Sequence, residues 1–352
     1  MSDTYRKLLQ RTHFTAPAGW RRIRTIDMHT GGEPLRVIVE GFPVSEGANV
    51  LARRRYVRRH YDHLRRALMH EPRGHADMYG ALLLPPDDEG ADFGVLFLHN
   101  DGYSTMCGHA VIALARLAVA LGWVAAPGPE AEVVIDAPCG RLSAFARVRA
   151  GSSNEAYFLG VPSFCVALDQ AVEVPGLGRV SYDLAYGGAF YAYVDAGALG
   201  LSLTPDNYRR LIEAGMAVKR AVAAADERIR HPFEPDLSFL YGTIFTGPAA
   251  AADAHSRNVC IFADGEVDRS PTGSGLMGRL AISHARGALE AGAILRVESI
   301  LGSTFVGSIV REVSYGGLAA IIPRIEGTAY FTGQHEFLID PEDPFRAGFF
   351  LR

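Results

Sequence analysis

Residues 94–121 read GVLFLHNDGYSTMCGHAVIALARLAVAL, and residues 258–287 read NVCIFADGEVDRSPTGSGLMGRLAISHARG. Each stretch opens as a short apolar strand, passes through a loop containing Asp-Gly, and enters a largely apolar helix with glycine at its start. Cys107-Gly108-His109 opens the first helix and Thr272-Gly273-Ser274 the second. The offset is about 165 residues, roughly one domain length. Arg116 and Arg279 are the only formal charges in the early turns, and their neighbours are apolar on all sides. Such helices belong inside a wrapping of sheet. Two similar halves, each with a central helix, follow from this repeat.

Outward from the repeat, 38 glycines and 19 prolines punctuate short apolar runs. Arg36 to Val39, Gly94 to Leu98, Glu132 to Ile135, Phe190 to Val194 and Val259 to Phe262 read as strands. Two more helices are predicted, over Val50 to Met69 and Asp206 to about Arg228. Each has one apolar face and an Arg-rich or acidic opposite face, so both should lie outside the sheets.

Composition narrows the chemistry. With 352 residues, 48% hydrophobic and 21% charged, the chain has the make-up of a folded globular protein of about two domains. A net charge of −4 gives no case for a polyanion partner. The four cysteines, at 107, 139, 165 and 260, show neither a Cys-x-x-Cys pair nor zinc spacing, which fits a reducing compartment. The apolar run Ala110 to Ala126 is interrupted by Arg116 and too short to span a bilayer, so it reads as a buried helix. The first residues carry no apolar signal segment, and the cytoplasm is the expected location. Lysine occurs only at positions 7 and 219. Neither is followed by Ser or Thr, which excludes a P-loop, and a Schiff-base lysine has only these two candidates. Chemistry without a cofactor is the expectation.

A helix N-terminus presents unpaired N–H groups and a positive dipole end, so it binds carboxylate and favours a thiolate. Cys107 occupies such a position. To act as a base its thiol must ionise below the ordinary value of about 8.5, and His109 is placed to help. Cys165 and Cys260, in apolar strands, read as inert buried thiols, while Cys139 in a Pro-Cys-Gly turn is ambiguous. A cysteine at a helix start is often just a tolerated small residue; its place in the repeat argues for function here.

Three competing patterns are weaker. Gly273 to Gly278 matches G-x-G-x-x-G with Glu298 at the dinucleotide spacing, but the preceding strand ends near Phe262, too far upstream for the tight turn required. His60, His63, His70 and His75 fall close together, yet beside Arg58 and Arg59 they read as a solvated helix face. The run Arg53 to Arg59 lacks the module and the basic balance of a nucleic-acid surface.

Several separated motifs resemble the proline racemase family: Ile26–Val39, Glu71–Gly80, Met106–His109, Gly187–Ala196, Gly242–Pro248, Asp268–Gly275 and Asp343–Gly348. The resemblance extends over all but about the first 20 residues. The resemblance implies an α/β fold of the diaminopimelate epimerase type, two pseudo-symmetric domains, each a curved, mostly antiparallel sheet around a central helix. The expected division is an N-terminal extension (1–20), a first half (21–185 plus 338–352) with the Cys107 helix, and a second half (186–337) with the Thr272 helix.

Racemases and epimerases of that family carry a cysteine in both motifs. Here the second is Thr272, whose hydroxyl is too weak an acid to exchange protons as a thiol does. With SPTGSG, this resembles the branch that dehydrates trans-3-hydroxy-L-proline to Δ1-pyrroline-2-carboxylate. The resemblance implies Cys107 as α-proton base and Thr272 orienting the leaving hydroxyl. It also implies Gly108, His109, Gly273 and Ser274 as carboxylate binders, and Asp268 with His109 facing the ring ammonium or orienting the base. Neither cofactor nor metal is implied. The expected partners are a small cyclic imino acid and, optionally, a second copy of the chain, with no nucleic acid and no membrane. Proline racemase or 4-hydroxyproline epimerase activity, and a non-catalytic binder of cyclic amino acids, are the alternatives.

Overall fold

The computed structural model describes residues 3–12, 14–148, 154–290 and 292–351. A short exposed helix, α1 (Asp3–Gln10), precedes the body. There follow β1 (Arg21–Thr30), β2 (Glu33–Glu40), α2 (Val50–His60), α3 (Asp62–Met69), β3 (Gly80–Leu84), β4 (Phe93–Leu98) and β5 (Tyr103–Ser104). Then come α4 (Gly108–Ala120), β6 (Glu130–Ala137), β7 (Gly140–Arg147), β8 (Glu155–Leu159) and β9 (Phe164–Val174). The remainder runs β10 (Gly178–Tyr186), β11 (Phe190–Asp195), α5 (Tyr208–Ala225), β12 (Leu240–Gly247), β13 (Ser256–Phe262) and β14 (Glu266–Val267). It closes with α6 (Gly273–Ala285), β15 (Ile294–Glu298), β16 (Thr304–Tyr315) and β17 (Leu318–Ile339).

The repeat seen in the sequence is the centre of a larger duplicated unit. In the first, β2 and β3 are parallel, β3 and β4 antiparallel, β4 is antiparallel to β5 and parallel to β6, and β6 turns back as β7. The second repeats this step for step with β11, β12, β13, β14, β15 and β16. Each sheet curves around its own helix. α4 packs on β1, β6, β7, β8 and β17, and α6 on β9, β10, β11, β16 and β17.

The sequence of α4, GHAVIALARLAVA, explains its burial: good helix formers on every face and one charge, so no side needs water. That charge is satisfied inside, where the Arg116 guanidinium donates to the Ala329 carbonyl of β17. Arg279 of α6 does the same with Ser256 Oγ (2.6 Å) and Asn258 Oδ1 (2.9 Å) on β13. No helix among the described residues is long and apolar enough to cross a membrane.

The structure departs from expectation in one place. The helix expected over Val50 to Met69 is two helices, because Tyr61 leaves helical geometry (φ −127°, ψ 15°) and sets its ring edge-on to Phe42, 6.1 Å away. Residues 185 and 186 lie in the β10–β11 hairpin, where Asp183 pairs with Tyr193 and Tyr186 with Phe190, and β9 and β10 already cover α6. β17 belongs to both sheets, pairing first with β16, then with β8, and finally, over residues 329–339, with β1.

Candidate active site

α4 and α6 meet start to start, with Gly108 against Gly273. The first backbone N–H groups bonded within the helices are those of Val111 to Cys107 O (3.1 Å) and Leu276 to Thr272 O (2.8 Å). The N–H groups of Gly108, His109, Gly273 and Ser274 therefore have no acceptor within their own helices, and the positive ends of two dipoles face one small cleft. Asp268, Cys107, His109 and Thr272 line it, so the residues singled out in the sequence converge here.

Cys107 is the N-terminal residue flanking α4, in extended geometry and buried. Its Sγ lies 3.2 Å from His109 Nδ1. Burial pushes the thiol well above its ordinary pKa, while the Ala110 N–H and the Tyr79 hydroxyl act in the opposite direction and the charges of Asp268 and Glu33 raise it further. Desolvation thus outweighs the helix dipole, and the packed site alone does not supply the lowering that a base at this position requires. His109 is likewise driven to about 3 by burial, with only the Pro34 carbonyl favouring its charged form. The imidazole is neutral and serves as a hydrogen-bond partner of Cys107. Thr30 Oγ1 donates to the His109 carbonyl at 2.9 Å, and Tyr79 packs edge-on against the ring at 4.8 Å.

Across the cleft, Thr272 has φ 66° and ψ 95°, a left-handed conformation that a β-branched residue rarely adopts. The loop enforces it. Asp268 accepts the Ser270 N–H (2.7 Å), Ser270 Oγ accepts the Thr272 N–H (3.1 Å), and Asn258 Nδ2 donates to the Pro271 carbonyl (3.3 Å). Backbone strain of this kind, of order 1–3 kcal/mol, concentrates where surrounding structure fixes a functional group. The Thr272 hydroxyl is buried beside Asp268 and Cys260 without a well-formed hydrogen bond to either. Burial raises Asp268 to about 6, against the hydrogen bond from Ser270 and the nearby Thr272 hydroxyl. Ser274 is braced by the Tyr191 hydroxyl at 2.8 Å.

Sequence reasoning missed much of the wall. Cys260, set aside as an inert strand thiol, is buried but lines the cleft behind Thr272; burial holds it well above the ordinary thiol value. Tyr79, Tyr191, Tyr241 and Phe262 close the sides. Behind Asp268 lies Glu33, wholly buried and pushed up by that burial and by Asp268; one oxygen accepts the Arg269 N–H at 2.7 Å. Glu33 and Tyr79 fall within matched motifs, IDMHTGGEPLRVIV and EPRGHADMYG, the one signal that could have flagged them. The glycine-rich start of α6 faces α4 rather than a tight strand-to-helix turn. Among the described residues no three His, Cys, Asp or Glu side chains converge as metal ligands. His70 and His75 instead contact separate carbonyls, of Asn100 and Ala76.

The family model for proline racemase matches residues 25–350. A trans-3-hydroxy-L-proline dehydratase of Colwellia psychrerythraea is 50% identical over 94% of this chain and 93% of its own length. One of Homo sapiens is 49% identical over 94% and 95%. Among solved structures, a hydroxyproline epimerase from Agrobacterium vitis, with bound trans-4-OH-L-proline, superposes with a TM-score of 0.88 at 33% identity, covering 94% of this chain and 96% of that one. Two facing helix starts, duplicated sheets and these relatives agree: the chain belongs to the proline racemase family.

Proposed function

We propose that this protein is a hydro-lyase that converts trans-3-hydroxy-L-proline to Δ1-pyrroline-2-carboxylate without a cofactor. The observation that carries the reading is the chemical mismatch of the two helix starts, a thiol at Cys107 and a hydroxyl at Thr272. Inversion at the α-carbon needs an acid or base on each face with a pKa within reach of neutrality. Dehydration needs one base and an exit for the hydroxyl. The two dehydratase relatives support the same choice.

The substrate carboxylate rests on the N–H groups of Gly108, His109, Gly273 and Ser274, which stabilise the charge that builds as the Cα–H bond breaks. The ring ammonium lies toward Asp268, and its positive charge favours ionisation of Cys107 in an otherwise unfavourable site. Cys107 takes the α-proton, the released electron pair forms the C2=C3 bond, and the C3–O bond breaks. The hydroxyl, oriented by Thr272, takes up a proton and departs as water. The enamine then tautomerises to the cyclic imine.

The test is incubation of the purified protein with trans-3-hydroxy-L-proline, with o-aminobenzaldehyde trapping the imine and chiral chromatography following the 2-epimer. Imine without epimer is expected. Epimer at a comparable rate gives precedence to the epimerase reading that the Agrobacterium structure favours, and no turnover leaves a binder of cyclic amino acids.

The same proposal includes a cytoplasmic location, consistent with four free cysteines, and a homodimer to be sought by sedimentation. It also sets the division between halves near residue 160, where the strands change from packing on α4 to packing on α6.

A further inference from the structure

The arginine run Arg53 to Arg59, to which the catalytic reading gives no task, lines a second cavity. Arg54, Arg55 and Arg58 of α2, Arg65 of α3 and Lys219 of α5 surround a space of about 660 Å³. It lies between elements of both halves and shares Tyr241 as a wall with the catalytic cleft. Two of the five cations are neutralised in place: Arg55 by Asp236 at 2.7 Å and Arg65 by Asp62 at 2.7 Å. Lys219 donates to the Ala263 carbonyl, and Asp101, Asp264 and Glu266 lie near enough to favour its charge. Arg58 has no carboxylate partner among the described residues.

Arg54 is the decisive group. It is only 9% exposed, its Nη2 donates to the Tyr103 carbonyl at 2.7 Å, and its Nε is buried with no partner. No carboxylate pairs with it among the described residues. Asp236 lies near enough to favour its charge but is bonded to Arg55, and for a buried guanidinium without a bonded counter-ion the usual resolution is an anion brought to it. Backbone dipoles alone serve the monoanionic carboxylate in the catalytic cleft. Arg54 and Arg58, neither bonded to a carboxylate among the described residues, carry the forked donors that suit phosphate, and Lys219 adds a point charge.

We propose that this cavity is a second binding site, taking a phosphate dianion, free or as a small phosphate monoester, on Arg54, Arg58 and Lys219. Binding is read without turnover, so the proposal does not depend on the reaction assigned above.

The full chain is titrated with inorganic phosphate and, separately, with glycerol 3-phosphate, at ionic strength fixed with sodium chloride, reading Tm and heat of binding. A saturable rise in Tm is expected with at least one probe, and the tighter one identifies the source. Arg58→Ala, at an exposed position, should weaken binding about tenfold while leaving kcat unchanged. Arg54→Met removes the unmatched charge, so its Tm in phosphate-free buffer should equal or exceed that of the parent while the phosphate-dependent rise disappears. A fall in Tm for Arg54→Met that is the same with and without phosphate would show a structural arginine and overturn the proposal. So would a shift that chloride reproduces at equal ionic strength. Phosphate competing with hydroxyproline at an affinity that Arg58→Ala leaves unchanged would place the anion in the catalytic cleft, with the same result.

Discussion

Gly108 and Gly273 are so close that a Cβ on Gly108 would stand 2.6 Å from the Cα of Gly273, and one on Gly273 would stand 2.7 Å from the Cα of Gly108. Backbone cannot yield as a flexible side chain does, so either methyl group must push the helix starts apart. Gly108→Ala and Gly273→Ala should each lower kcat/KM by about 100-fold, the typical effect of displacing a site by about 1 Å. Steady-state kinetics beside a thermal melt separates this from unfolding: a folded variant with near-parental kcat/KM would show that the contact does not set the site.

Cys107→Ser should retain the fold and lose at least about 100-fold in kcat/KM, since a serine hydroxyl cannot replace the base. Cys260→Ala should stay within about tenfold of the parent, because a neutral thiol behind Thr272 is not the proton acceptor. The reverse order of effects would move the base to the other wall.

Thr272→Cys places a thiol at the second helix start and relieves the crowding of a β-branched side chain at positive φ. It should introduce measurable racemisation of proline and weaken dehydration. In D2O the parent should exchange the α-proton of one enantiomer of proline without forming the other. Chiral chromatography that finds D-proline from the parent would show that Thr272 does not block the second face.

Because burial raises Cys107 above the ordinary thiol value, kcat/KM should climb with pH through the alkaline range. A profile already flat below pH 7 would mean that the free enzyme carries a thiolate. The neutral His109, driven to about 3, should add no ascending limb near pH 6.5.

Two buried groups should oppose each other in acid. His109 is lowered to about 3, so the unfolded chain takes up its proton first and stability falls between about pH 6.5 and 3, by roughly 1.4 kcal/mol per pH unit at most. Asp268 is raised to about 6, so it contributes stability fully below its unfolded value of about 3.9, lost as pH rises through 6. His109→Gln should therefore flatten the acid loss and Asp268→Asn should steepen it. Urea midpoints at pH 4, 5, 6 and 7 would reveal this, and identical pH slopes for all three proteins would refute both assignments.

The helix starts were legible because the duplication wrote them twice, with a small change at position 272 that carries chemical meaning. The strand before each helix and the apolar helix itself were legible for the same reason. The aromatic wall was not, since Tyr79, just before β3, and Tyr191 and Tyr241, on β11 and β12, are distant in sequence, and strand periodicity says nothing about which sheet face meets which helix. That Cys260, a buried strand thiol, also lines the cleft was not legible, because an apolar strand next to a cleft has the same pattern as one in the core. The ionisation of the Cys107 thiol was not legible, because a dipole can be read from position, whereas desolvation requires the packed site. The break at Tyr61 was hidden because both resulting helices keep the same apolar face toward β4 and its neighbours.

Leu318–Ile339 is hydrogen-bonded to β16, the last strand of the second copy, and to β8 and β1, which flank the first copy. Cutting the gene near residue 160 would thus not yield two free-standing modules. The upstream fragment would lose the ribbon that completes its sheet beside β1, and the downstream fragment would carry a long unmatched tail in search of a neighbour. What began as two equivalent copies has become a single inseparable unit, and split fragments could regain activity only by trading that strand.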